Sequence, residues 1–287
     1  MSRVIITAAL NGPTTHRGAC PGVPLTPAEI AAEAQRACEA GASVVHVHAR
    51  EDGGATSYRA ERWREVVDAV RERCDALVSV STGLLGVTLQ DRMCVLDSGA
   101  DLANVPVGTL TYARYNGGKR AFDFDHVFAN PFSDVLAILT RMRERAMAPI
   151  VVCSDLGHIS AVEPLQDMGA LRPAVAHSFL LGVSGGIQPT THNLCRMVEA
   201  VLAGPGGRGS AWQIECISPS PTLPWRMLAA AVSLGGHLRV GFQDGIHLPD
   251  GDVAESNGTL VAAAATLVRA VGLSPASVEE ARGLLLA

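Results

Sequence analysis

The chain alternates short apolar runs with longer amphipathic segments, and this alternation repeats along its length. Short runs of apolar, β-branched residues are typical of strands that a parallel sheet buries on both faces. Eight such runs predict strands over Val4–Leu10, Ser43–His48, Leu77–Ser81, Leu102–Val105, Ile150–Ser154, Ala174–Leu181, Ala211–Ile217 and Leu238–Gly241.

The segments between these runs predict helices. Thr26 to Glu29 combines a hydroxyl cap, a proline in the first turn and an acid near the positive end of the helix dipole. Gly41 is a suitable residue to end that helix. Further helices are predicted over Ala60–Arg73, Ser133–Ala146, Thr190–Leu202, Thr222–Leu234 and Glu255–Val271.

Repeated strand-then-helix units without a low-complexity linker predict a single (β/α)8 TIM barrel domain over residues 1–287. A doubly wound open sheet is the alternative, because a strand count alone does not show closure. The glycine-rich dinucleotide fingerprint does not follow the first strand, which argues against a nucleotide-binding open sheet.

Composition narrows the class of protein. Hydrophobic residues make up 48% of the chain and charged residues 18%, as expected for a globular core. A net charge of -5 without a basic block argues against a nucleic-acid-binding surface. No apolar run approaches the roughly 18–20 residues that cross a bilayer. We therefore expect a soluble, cytoplasmic protein that binds neither nucleic acid nor membrane.

His46 and His48 are the most informative pair of polar residues. They lie two positions apart at the end of an apolar strand, so their side chains point to the same face. Two imidazoles on one rigid support are suited to a divalent metal, most often zinc. The alternative is a pair of buried histidines satisfied by hydrogen bonds, but the polar loop at 50–54 that follows favours a metal site.

Other polar residues gather at predicted strand ends, where barrel enzymes place catalytic groups. These residues are Ser81, Thr82, Asn104, Asp155, Arg239, Gln243 and Asp244. The candidates for a third metal ligand are Gln243, Asp244 and Asp155. Arg239 is suited to hold a carboxylate and Asp244 to move a proton. The hydroxyls of Ser81 and Thr82 are suited to donate hydrogen bonds to a substrate oxygen.

A glycine-rich loop follows the sixth predicted strand and leads into a helix. It contains Gly185 and Gly186, whose backbone N–H groups are suited to contact a phosphate or carboxylate. A plain tight turn is the alternative interpretation.

Six segments of the chain together resemble the β-keto acid cleavage enzymes, in the order found in that family. They are Ile6–Gly12, Val23–Ile30, Ala40–Arg50, Val80–Gly83, Leu181–Thr190 and Gly235–Gly241. The resemblance implies a (β/α)8 barrel with a bound zinc ion, usually assembled as a homotetramer. It also implies a reaction in which a β-keto acid and acetyl-CoA, the co-substrate, give acetoacetate and a new CoA thioester.

The resemblance also assigns roles to residues. It implies that His46 and His48 bind the metal and that Arg239 and Asp244 assist proton transfer. Ser81 would contact the keto acid. With Ser81, the expected substrate-binding residues are Thr82, Thr14, Asn104, Gly185 and Gly186.

Two positions depart from the family pattern. Gln243 stands where the family has a glutamate as its third zinc ligand, and a neutral amide oxygen is a weaker ligand than a carboxylate. Thr14 stands where the family commonly has a glutamate in the loop that selects the substrate side chain. We expect the metal to be held less tightly than in the family. We also expect that a basic group on the substrate lacks the carboxylate partner that the glutamate supplies.

Three hypotheses follow. The first is a zinc-dependent exchange of acyl groups between a β-keto acid and acetyl-CoA. The second is a metal-dependent hydrolase on the same barrel, although His177, His192 and His237 do not match the further histidines of such enzymes. The third is a non-catalytic binding homologue with a weakened metal site, which the amide at Gln243 supports.

Overall fold

The computed structural model describes residues 3–84 and 86–287, and its centre is a closed barrel of parallel strands. The barrel strands are β2 Ile6–Ala9, β3 Val44–His46, β4 Leu77–Ser81, β5 Leu102–Pro106, β8 Ala148–Cys153, β9 Ala176–Leu181, β10 Trp212–Cys216 and β11 His237–Val240. β11 pairs in parallel with β2, with Arg239 opposite Thr7, and this pairing closes the ring. The predicted (β/α)8 barrel is thus confirmed, and the open sheet is excluded.

Helices surround the barrel. They are α1 Pro27–Ala40, α2 Ala60–Arg71, α3 Leu89–Met93, α4 Phe132–Glu144, α5 Leu156–Ser160, α6 Val162–Asp167, α7 Thr191–Ala203, α8 Leu223–Ser233, α9 Asn257–Ala270 and α10 Val278–Leu285. Within residues 3–84 and 86–287, none combines the length and apolar character that a bilayer crossing requires.

α1 shows how closely local signals fix a helix. Thr26 caps its first turn and Glu29 bonds back to the Thr26 backbone, which completes a capping box. The helix ends at Gly41 with a left-handed φ of 118°, a conformation that glycine adopts without strain. Both ends of the predicted helix are confirmed.

The amino-terminal end of the barrel is closed by the last part of the chain. The short strands β1 Arg3–Val4 and β12 Ser274–Pro275 pair in parallel. From there α10 packs Ala281 and Leu285 into an apolar cluster with residues at the strand beginnings, among them Val44 and Leu77. This apolar layer forms a floor beneath the barrel interior.

An antiparallel hairpin interrupts the repeat between β5 and α4. Its strands are β6 Leu110–Asn116 and β7 Ala121–Phe128. No element was predicted here from the sequence, and the helices α3, α5, α6 and α10 were not predicted either. The missed signal for the hairpin is the alternation along residues 110–128 around an Asn-Gly-Gly turn.

Asn257, the first residue of α9, links four parts of the fold. Its side-chain oxygen accepts the Phe242 N–H at 2.9 Å, and its side-chain nitrogen donates to the Leu10 carbonyl at 3.1 Å. The backbone and side-chain nitrogens of Asn257 also donate to the buried carboxylate of Glu33 at 2.8 and 3.0 Å. The loops after β2 and β11 are therefore fastened to helices α1 and α9.

We predict that Asn257→Ala lowers the free energy of unfolding by about 2–4 kcal/mol, because it leaves the Phe242 N–H and the Leu10 carbonyl without their partners and removes one of the hydrogen bonds to Glu33. Denaturant unfolding measures the change. Thr266→Ala on the exposed side of α9 is the control, and it should stay within about 0.5 kcal/mol of the parent chain. Equal effects of the two substitutions would show that the network does not stabilise the fold.

Candidate active site

A cavity of about 820 Å³ opens at the carboxyl ends of the barrel strands. Seven of the residues singled out from the sequence line it. They are Thr14, His46, Ser81, Asn104, Arg239, Gln243 and Asp244. These residues come from loops or strands far apart in the chain, and closure of the barrel brings them together.

The imidazoles of His46 and His48 converge, as their spacing on one strand predicts. Their Nε2 atoms lie 3.3 Å apart. Two nitrogen ligands of one tetrahedral zinc, each about 2.0–2.1 Å from the ion, are separated by about 3.3 Å. Asn11 fixes the backbone of His48 from both sides, since its side chain accepts the His48 N–H and donates to the His48 carbonyl.

Both rings are held in the uncharged form that can bind a metal. Burial, and then the positive charge of Arg239, lower the pKa of His46 well below its ordinary value of 6.5. Burial and the same charge lower the pKa of His48 to about 3. On the far side of the His46 ring, Nδ1 shares a hydrogen bond of 3.0 Å with the Ser79 hydroxyl. Such an outer contact fixes the orientation of a ligating imidazole.

The third donor would be an amide. Within residues 3–84 and 86–287, no group of three histidine, cysteine, aspartate or glutamate side chains could hold a metal. Asp155 caps α5 and Asp244 binds Arg239, so both alternatives from the sequence are already engaged. Among the described residues, the buried side-chain oxygen of Gln243 has no hydrogen-bond partner. The donor set therefore fits a metal with two imidazoles and one neutral oxygen.

Arg239 and Asp244 form a buried ion pair at the end of β11. The Arg239 Nε and Nη2 atoms donate to the two carboxylate oxygens of Asp244 at 2.8 and 3.1 Å. Although burial opposes its charge, Asp244 and Glu215 raise the pKa of Arg239, which is a permanent cation. Within the described chain, its buried Nη1 has no hydrogen-bond partner.

Glu215 on β10 is a residue that the sequence analysis missed. It lines the cavity, and its carboxyl lies 3.5 Å from Nη2 of Arg239. It accepts a short hydrogen bond from Ser178, and burial raises its pKa despite the opposing charge of Arg239. The missed signal is the alternation of Gln213 and Glu215 along an otherwise apolar strand.

Hydrogen bonds connect the imidazole pair with the ion pair around the barrel interior. The Ser79 hydroxyl, bonded to His46, lies 3.4 Å from the side-chain oxygen of Asn104. The side-chain nitrogen of Asn104 lies 3.5 Å from Glu215, which contacts Arg239. The two functional pairs are thus part of one buried network.

The neighbouring hydroxyls of Ser81 and Thr82 differ in their surroundings. The Ser81 hydroxyl oxygen accepts the Gly83 N–H at 3.0 Å and lines the cavity, so its own hydrogen is free to be donated. Thr82 is fully buried, and its hydroxyl donates to the Asn104 carbonyl at 3.0 Å. A role for Thr82 in substrate binding stays a prediction.

Gly185 and Gly186 lie where the backbone is tightly packed. A side chain on Gly185, which has a φ of +86°, would collide with the Thr111 carbonyl, and one on Gly186 would meet the Ser154 carbonyl. Close approach of the loop to β6 and to the end of β8 thus explains both glycines. The expected contact with an anionic group stays a prediction.

The three further histidines weighed for the hydrolase hypothesis do not join His46 and His48 at the end of β3. His237 begins β11, and its Nδ1 accepts the Ile5 N–H at 3.1 Å, near the floor of the barrel. His177 stands near the beginning of β9, and His192 lies on α7. Together they do not form the histidine cluster that the hydrolase hypothesis requires.

Comparison with known proteins gives concordant matches. A family model described as beta-keto acid cleavage enzyme matches residues 3–286. The 3-keto-5-aminohexanoate cleavage enzyme of Fusobacterium nucleatum is 32% identical, with 99% of this chain and 98% of that protein covered. The 3-oxoadipate:acetyl-CoA acetyltransferase of Cupriavidus necator is 27% identical, with 98% and 94% covered.

A solved structure also resembles this barrel. The ternary complex of ObcA with a C4-CoA adduct and oxalate superposes with a TM-score of 0.70 at 18% identity. The match covers 92% of this chain and 67% of ObcA. At this level of identity the likeness supports the fold.

We predict that the two carboxyls around Arg239 contribute unequally to stability. Asp244→Asn removes the charged partner of a buried guanidinium and should cost about 2–4 kcal/mol of unfolding free energy. Glu215→Gln should cost less than about 1 kcal/mol, because Glu215 makes one longer contact of 3.5 Å with Arg239 and an amide oxygen can still accept the Ser178 hydrogen bond. Denaturant unfolding of both variants tests this, and a larger loss for Glu215→Gln would show that Glu215 carries the pairing charge.

Proposed function

The chain belongs to the beta-keto acid cleavage enzyme family, and on that premise we propose that it exchanges acyl groups between a β-keto acid and acetyl-CoA. The products are acetoacetate and a new CoA thioester. One observation carries the proposal: His46, Ser81, Arg239 and Asp244 line a single cavity at the carboxyl ends of the strands. Two relatives, an acetyl-CoA acetyltransferase and an acetyl-CoA trimethylamine transferase, support acetyl-CoA as the co-substrate.

In this proposal His46, His48 and Gln243 hold a zinc ion. The 3.3 Å between the imidazole nitrogens and the unpartnered Gln243 oxygen support this ligand set. When bound, zinc would polarise the keto carbonyl and stabilise negative charge on its oxygen.

Asp244 is the proposed base. The methylene between the keto group and the carboxylate of a β-keto acid is acidic, and Asp244 would take a proton from it. Arg239 holds the Asp244 carboxylate through two hydrogen bonds, so the base is oriented before the substrate arrives. The remaining N–H groups of Arg239, on Nη1, are suited to the substrate carboxylate.

The bonds then exchange in two steps. The deprotonated carbon attacks the thioester carbonyl of acetyl-CoA, which forms a carbon–carbon bond and releases CoA thiolate. The thiolate attacks the original keto carbonyl, and the bond between that carbonyl and the methylene carbon breaks. The departing acetoacetate carbanion takes back the proton from Asp244. Ser81, whose hydrogen is free, would donate to an oxygen of the keto acid.

The direct test is to incubate the zinc-loaded protein with acetyl-CoA and a panel of β-keto acids and to detect new CoA thioesters by mass spectrometry. We expect exchange, and we expect Asp244→Asn to lower kcat by about 10²–10⁴-fold, the usual contribution of a general base. Asp252→Asn, an exposed carboxylate in the same loop, is the matched control. Absence of exchange across the whole panel would contradict the proposal.

Metal retention tests the proposed ligands separately. Gln243→Glu supplies a charged oxygen, so we predict that zinc is retained at least about tenfold more tightly during dialysis against a chelator. Elemental analysis after dialysis measures the retained zinc. Gln188→Glu, at an exposed position, controls for added charge. Equal retention by the parent chain and Gln243→Glu would show that residue 243 is not a ligand.

A further inference from the structure

The hairpin β6–β7 presents one face to the cavity. Side chains on alternate positions of a strand share a face, and the register places Leu110 opposite Phe128, Tyr112 opposite His126 and Arg114 opposite Phe124. All six side chains line the cavity. Tyr112 stacks on Phe124 with ring centroids 5.8 Å apart, and Phe124 stacks on His126 at 6.0 Å. The outer wall of the cavity is therefore largely aromatic.

Aliphatic side chains add to the lining of the cavity. Val152 and Leu180 come from strands β8 and β9, Ile217 follows β10, and Leu84 and Val183 come from loops. A substrate group that extends from the polar residues into the rest of the cavity thus meets aliphatic and aromatic side chains.

The carboxylates of the cavity are already engaged. Among the residues that the structure describes, Glu215 and Asp244 are the acidic side chains in the lining, and both contact Arg239. Thr14, in the loop after β2, is uncharged. A cationic substrate side chain would consequently be buried here without a counterion, which is costly.

The two phenylalanine rings of the hairpin do not replace that counterion. The guanidinium of Arg114 lies 5.5 Å from the centroid of the Phe124 ring, and that of Arg92 lies 5.8 Å from the centroid of Phe128. Both rings already interact with a positive charge, and a second cation beside them would be repelled. Arg114 is itself paired with Asp123 at 3.3 Å, so its charge is already compensated when an anionic side chain approaches.

We propose that the preferred substrate is a β-keto acid whose side chain is uncharged and apolar, and that this side chain packs against the inner face of the hairpin. The inference rests on the proposed function and specifies its substrate class. This substrate preference differs from that of two relatives, which are named for an amino-bearing and a dicarboxylic keto acid.

Three keto acids with six carbons each test the inference. They are 3-oxohexanoate, which has an uncharged side chain, 5-amino-3-oxohexanoate, which is cationic, and 3-oxoadipate, which carries a second carboxylate. We expect kcat/KM for 3-oxohexanoate to exceed the other two values at least about tenfold. Shortening the chain to 3-oxopentanoate should lower kcat/KM by about fourfold, the effect of one buried methylene.

Variants on the two faces of β7 show whether the hairpin is responsible. A shift in the strand register between Arg114 and Tyr115 turns Phe122, which pairs with Tyr115, away from the face that carries Phe124. Phe124→Ala, on the inner face, should lower kcat/KM for 3-oxohexanoate about tenfold, because it removes aromatic surface from the cavity wall. Phe122→Ala is the matched control, since Phe122 is 58% exposed and outside the lining of the cavity.

The outcomes separate this inference from the proposed function. A preference for either charged acid, or equal effects of Phe124→Ala and Phe122→Ala, would overturn the inference and leave the exchange reaction in place. Absence of turnover with every acid would count against the proposed function. In that case calorimetric titration without acetyl-CoA decides the inference, which requires that 3-oxohexanoate bind most tightly of the three six-carbon acids.

Discussion

The buried guanidinium of Arg239 is the interaction on which the site depends. Its side chain is 1% exposed, and a charge removed from water to this degree persists only when it is paired and hydrogen-bonded. Asp244 supplies two hydrogen bonds, and Glu215 approaches from the neighbouring strand. Burial raises the pKa of Glu215 and the charge of Arg239 opposes that change, so the electrostatics of the two groups are linked.

This charge also acts beyond its immediate neighbours. The positive field of Arg239 helps to keep His46 and His48 uncharged, and the network through Ser79 and Asn104 holds one of those rings in place. A substitution at Arg239 would therefore break the ion pair, remove a contact of Glu215 and take away one of the causes that keep the imidazoles uncharged. Buried polar networks of this kind are sensitive to the loss of any member.

The sequence was most informative where a local rule determines the structure. The alternation at His46 and His48 predicts convergent rings, and Thr26, Glu29 and Gly41 predict both ends of α1, as the structure shows. Glu215 was harder to identify, because a buried strand with two polar residues differs little from any other strand until its neighbours are known. The hairpin was missed because a β/α repeat leads one to expect a helix after each strand. Here an antiparallel pair stands in that place, and its side chains line the cavity.

The packing of α10 beneath the barrel affects how two substrates can enter and leave the cavity. Ala281 and Leu285 pack under the strand beginnings, so the barrel is covered at this end and the cavity opens at the other, by the carboxyl ends of the strands. Two reactants that enter through one opening bind one after the other. The reactant that lies deeper has to bind before the bulkier one and leave after it. If the keto acid occupies the depth of the pocket, the architecture itself imposes a compulsory order of binding, with the thioester second.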